Sequence, residues 1–139
     1  MASGSRSDKL RRLVDVQRQL ERLAEFELST SVSRQAELAI VIDSTVRALS
    51  SDDPVHQQFT RNYSERLTRL YAKDQQLTAQ RNLQEQKVLR EKTKGDRLEG
   101  RMKEAEILED RLSEDERMYD LVDLGLMAAT PASSKLDET

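Results

Sequence analysis

From Leu10 to Leu49 the chain contains neither glycine nor proline, and then Ser50-Ser51-Asp52-Asp53-Pro54 interrupts it abruptly. An unbroken stretch of that length reads as a helix, which Asp8 can cap. The interruption reads as a turn over about 50–54, because Ser and Asp satisfy free N–H groups and Pro at a first helical position sacrifices no bond. Sheet folds are excluded by composition. Gly and Pro supply only six of 139 residues and aromatic side chains only five, too few for the turns and strands of a sandwich, barrel or wound sheet. With 35% of residues charged, the composition is that of long helices and coiled coils. The expected fold is all-α, an antiparallel two-helix coiled-coil hairpin with the longer helix second, burying a narrow seam.

The spacing of apolar residues predicts which faces meet. In the first helix Leu13, Val16, Leu20 and Leu23 step by three and four, as do Ala39, Ile42, Val46 and Leu49. Ala24, Leu28 and Val32 step by fours between them, which reads as a stutter in one seam. The second helix, starting at Pro54, offers Phe59, Tyr63, Leu67, Leu70, Leu77, Leu83 and Val88, with Asp74 and Arg81 loosening the packing. Equal rise on both sides of the turn pairs Val32 with Tyr71 and Leu20 with Leu83. On that register the first helix stops covering the second at about Gly95. Residues 8–123 form the expected hairpin, with a softened joint at 95–100, between a disordered N-terminus (1–7) and a flexible tail (124–139).

Two surfaces are then left without cover. Beyond Gly95, the apolar stripe of Leu98, Met102, Ala105, Leu108 and Leu112 would project as an overhang, and an unpaired stripe is usually a binding surface. Near the turn, Phe59 and Tyr63 flank the hairpin tip together with Val55, and opposite them Ile40, Val41, Ile42 and Val46 occupy more of the helix circumference than a two-helix seam covers. The overhang is followed by nine acidic residues between Glu104 and Asp123, opposed by Arg111 and Arg117 alone.

Other chemistries lack their residues. The absence of cysteine and the single histidine, His56, remove thiolate catalysis, disulfides and two-histidine metal motifs. Gly95 and Gly100 have phosphate-loop spacing, but Arg101-Met102 follows where Lys and a hydroxyl residue are required. The basic run from Lys87 to Lys103 is interleaved with Glu91, Asp96 and Glu99 and has no aromatic residue for base stacking, so nucleic-acid binding is not expected. No apolar run approaches the roughly 20 residues of a membrane span, and Met1–Ser7 lacks the apolar stretch of a secretory signal. The expectation is a cytoplasmic, noncatalytic protein without cofactor or metal.

The layout of a helix opening Lys9-Leu10-Arg11-Arg12-Leu13-Val14, a mid-chain turn and a longer second helix, with a late basic run before Glu114-Asp115-Glu116-Arg117, Asp120 and Asp123, resembles the FliJ family of flagellar export proteins and its injectisome relatives. The resemblance covers about residues 8–123. It implies a coiled-coil stalk or escort component of a flagellar or type III export apparatus, with the export ATPase and export gate as partners. On that resemblance, Leu10, Leu13 and Val14 with the stripe from Leu98 through Met102 to Leu112 would face the ATPase. Ile42, Val46, Phe59 and Tyr63 would lie toward the gate. The alternatives are a homodimeric scaffold in which two hairpins form a four-helix bundle, and an ATP-independent chaperone.

Overall fold

The computed structural model describes residues 4–137, with side chains through residue 128. Its regular structure comprises α1 (Arg6–Leu49), α2 (Pro54–Gln57) and α3 (Thr60–Asp137). The two long helices pack against each other, so the all-α helical hairpin with a longer second arm is the fold. The chain divides into two compact units: Val14–Asp96, and Met1–Leu13 with Arg97–Thr139.

The corner is built by the residues that predict it, but takes more chain. Asp53 has an extended backbone, and its carboxylate accepts a bond from the Val55 N–H at 3.0 Å, capping α2 with Pro54 in its first turn. The Ser51 hydroxyl accepts from the Asp53 N–H at 3.1 Å. The expected continuous helix from Pro54 is instead broken at Gln58 and Phe59. The Phe59 N–H donates to His56 O, a tight i to i−3 bond that closes α2 after one turn, and α3 starts afresh at Thr60.

That extra turn displaces the register. In the Val14–Asp96 unit, the Gln35 amide donates to the Thr78 hydroxyl at 2.8 Å, about ten residues beyond the Thr68 that a turn at 50–54 would bring opposite. Glu27 meets Lys87 at 3.3 Å, and Gln17 meets Glu91. Leu20 therefore does not face Leu83, nor Val32 Tyr71; Leu83 and Tyr71 are exposed.

The seam itself is also different. The seam on α1 within this unit follows the buried and half-buried positions Val14, Gln17, Glu21, Ala24, Leu28, Ser31, Gln35, Leu38, Ile42, Thr45 and Leu49, a regular alternation of three and four with no stutter, flanked by the half-buried Arg18, Glu27, Thr30, Val41 and Ala48. The α3 side keeps the same rhythm from Tyr63 through Leu77, Arg81, Gln84 and Val88 to Gly95. Leu13, Val16, Leu20 and Leu23, expected in the seam, are exposed. The physical reason lies on α3, where Glu91 stands in the seam opposite this stretch of α1: a leucine set against it would strand the charge, whereas Gln17 bonds it. Further along α1, Gln35 bonds the seam residues Asp74 and Arg81 in the same way and keeps the same face of the helix inward.

In the other unit, the Ser7 hydroxyl and N–H both donate to the Glu109 carboxylate, and Arg11 pairs with Glu106 at 2.8 Å. Ala105 is buried, with Leu98 and Met102 half-buried at seam spacing. Within this unit the first helix thus covers the second as far as Glu109, where cover was expected to end at about Gly95.

The ends differ from expectation as well. Residues 1–3 and 138–139 lie outside the described residues, but α1 begins at Arg6, within the expected disordered N-terminus. Residues 124–137, expected as a flexible tail, continue α3, consistent with the strong helix formers Leu124, Leu126, Met127 and Ala128. α3 also runs through Gly95 and Gly100, with no positive φ at either.

Candidate functional site

The hairpin corner gathers the aromatic residues. The Phe59 and Tyr63 rings lie 6.3 Å apart, and the Tyr63 hydroxyl is 3.0 Å from His56 Nδ1. Phe59 is exposed and Tyr63 half-buried, so one ring is braced while the other meets solvent. Ile42, expected on this surface, is half-buried in the seam; Val46 is exposed. The groove beside the corner is lined by Ile40, Asp43, Ser44, Arg47, Ala48, Ser51 and His56. It thus recruits His56 rather than the expected quartet of Ile42, Val46, Phe59 and Tyr63. A second open groove, of about 520 Å³, lies between Arg34, Glu37, Leu38 and Val41 on α1 and Leu70, Lys73 and Leu77 on α3.

At the expected overhang the structure splits the predicted residues. Leu98 and Met102 sit half-buried in seam positions, while Leu112 lies past the last bond to α1 and is exposed. The exposed apolar surface belongs mainly to residues further along. Leu112, Met118, Tyr119, Leu121, Val122, Leu124, Leu126 and Met127 are each 57–72% exposed. Leu112, Tyr119 and Leu126 continue the seven-residue step of Leu98 and Ala105, so the seam's own face carries on beyond its partner. Glu116 and Asp123 occupy the alternate seam positions there.

A further apolar stripe, expected in the seam, lies at the surface instead. Val16, Leu20 and Leu23 on α1 are 46–55% exposed. Leu20 lies one heptad before Glu27, whose carboxylate pairs with Lys87, so the stripe shares a flank with the α3 ridge of Lys87, Arg90 and Lys94. The signal that could have found it is the polar content of α3: matching Glu91 to Gln17 rather than to a leucine, and Asp74 and Arg81 to Gln35 on the same face, selects the other stripe as the seam.

The ionisable groups with displaced acidity are both seam carboxylates. Glu91 is held below its ordinary pKa by the hydrogen bond from Gln17, assisted by the charges of Lys94 and Lys87. Glu109 is held down by the Ser7 hydroxyl and N–H. Both shifts favour the fixed anion that locks a polar seam layer, the opposite of the raised pKa that equips a carboxyl to donate a proton. Among the described residues, no cluster of three or more His, Asp or Glu side chains is placed to hold a metal ion, and no helix is long and apolar enough to cross a membrane. What the arrangement offers chemically is apolar helical surface edged with charge. Set against family models, characterised proteins and solved structures, the chain matches none of them.

Proposed function

We propose that this protein is a noncatalytic coiled-coil component that binds protein partners, acting as a stalk or escort in a flagellar or type III export apparatus. The observation that carries the binding role is the run of eight large apolar residues from Leu112 to Met127, each more than half exposed. Among them Leu112, Tyr119 and Leu126 share one helix face, which continues the seam past its intramolecular partner, and such a face is suited to receive an apolar helix or groove from another protein. The export role and its partners, the export ATPase and gate, are supported by the resemblance of the chain's layout to the FliJ family, and the cytoplasm is the compartment that role requires. The expected ATPase-facing residues Leu98 and Met102 are here partly occupied within the hairpin, so the contact shifts toward Leu112 and the residues after it.

The test is retention of the purified protein by the immobilised export ATPase of the same cell. Wild type is expected to be retained, and Tyr119→Asp with Val122→Asp to be lost while far-UV circular dichroism stays helical. Absence of wild-type retention removes the export reading.

A further inference from the structure

The two exposed apolar surfaces differ in the charge around them, and the difference is complementary. The stripe of Val16, Leu20 and Leu23 is bordered on α3 by Lys87, Arg90 and Lys94; the first pairs with Glu27 and the last with Glu91, whose carboxylate Gln17 also engages. The α3 segment from Leu112 to Leu124 presents Leu112, Tyr119 and Val122 among Glu114, Asp115, Glu116, Asp120 and Asp123, with Arg117 as its one cation. Both surfaces are helical, and both step at coiled-coil spacing, 16-20-23 on one side and 112-119-122 on the other. The acidic segment belongs to an uninterrupted helix and has no turn by which to fold back.

We infer that two copies of this chain associate, the acidic apolar segment Leu112–Leu124 of one lying on the Val16-Leu20-Leu23 stripe and its basic border in the other. Apolar burial supplies the attraction, and the charges set the orientation, since placing either surface on its own copy would oppose like charges. Each copy carries one of each surface, so two copies can satisfy both by making the contact twice, once in each direction, and the dimer is the closed form of this pairing of two different patches. The contact does not depend on the export role. Its consequence does: the dimer covers the same α3 face that the proposed partner needs, so self-association and partner binding exclude each other.

Sedimentation equilibrium on the full chain, with no partner present, tests this. Wild type is expected at twice the 16.0 kDa chain mass, and at lower apparent mass in high salt, which screens the charge contribution. Leu20→Asp and Val122→Asp are each expected to sediment as monomers with unchanged helical circular dichroism. Arg90→Glu, an exposed substitution outside the seam, should weaken the dimer without touching the fold. Mixing fluorescently labelled Leu20→Asp and Val122→Asp chains should restore energy transfer, because the intact segment of the first still fits the intact stripe of the second. A monomeric wild type, a Val122→Asp chain that remains dimeric, or a mixture showing no transfer overturns the proposal. Retention of Leu20→Asp by the export ATPase bears on the other reading alone.

Discussion

Gly95 and Gly100 lie five residues apart in one helix, yet their replacement by alanine should have different outcomes. In a helix interior alanine is favoured over glycine by about 0.8–1 kcal/mol, because glycine loses more backbone freedom on folding. A Cβ at Gly100 meets nothing within 4 Å, so Gly100→Ala should realise the whole gain. At Gly95 the same atom would stand 2.7 Å from Arg18 Nη1 and 3.1 Å from its Cζ. The guanidinium must move, and it donates to Glu21 at 2.8 Å and Asp96 at 2.9 Å. Partly exposed ion pairs of this type contribute about 0.2–1 kcal/mol each. Loosening both offsets the alanine gain, and Gly95→Ala should leave stability nearly unchanged. Thermal unfolding followed by far-UV circular dichroism reads the contrast: Gly100→Ala should raise the midpoint by about 4 °C, and Gly95→Ala should not. In an Arg18→Ala background, Gly95→Ala should recover its gain, which a double-mutant cycle expresses as a coupling between the two positions. Equal stabilisation by both glycine replacements in the wild-type background would refute the placement of Arg18 across Gly95.

Acid should open the hairpin through its polar layers. Because Glu91 and Glu109 have depressed pKa values when folded, the unfolded chain binds more protons; their stabilisation is complete above the ordinary glutamate value of about 4.3 and is lost as pH falls below it. Urea titrations across that range should give a falling midpoint in wild type and a flatter profile in Ser7→Ala/Gln17→Leu, and parallel profiles would count against these bonds. Gln84 Oε1 is buried without a hydrogen-bond partner, so Gln84→Leu should raise stability by roughly 1–2 kcal/mol in urea unfolding; a loss would mean that the carbonyl is satisfied.

The exposed ion pairs show how limited local rules are here. On α3, Glu99 lies 4.0 Å from Lys103, four residues on, and Glu65 lies 3.3 Å from Arg61, four residues back, although Arg69 stands equally near in sequence. Each such surface pair is worth a few tenths of a kcal/mol at most, so neither outcome bears on the fold.

Local sequence alone determined that the chain is helical, that it reverses after Leu49, and that Asp53 and Pro54 start the next element. Those features depend on the absence of helix breakers and on a cap whose donor and acceptor lie two residues apart, so neighbouring residues suffice to specify them. Which stripe of α1 is buried was settled only by packing. The leucines of residues 13–23 are the more apolar choice, but the partner face opposite them holds Glu91, which Gln17 can bond where leucine cannot, and further along Gln35 bonds Asp74 and Arg81 from the same face of α1. The one-turn helix at Pro54–Gln57 likewise moved the register by about ten residues. In the other unit Leu98 and Met102 lie in the seam, and the open surface begins at Leu112. A helix's periodicity reports that it has apolar faces; which of them is hidden depends on the side chains standing opposite, and those come from residues far along the chain.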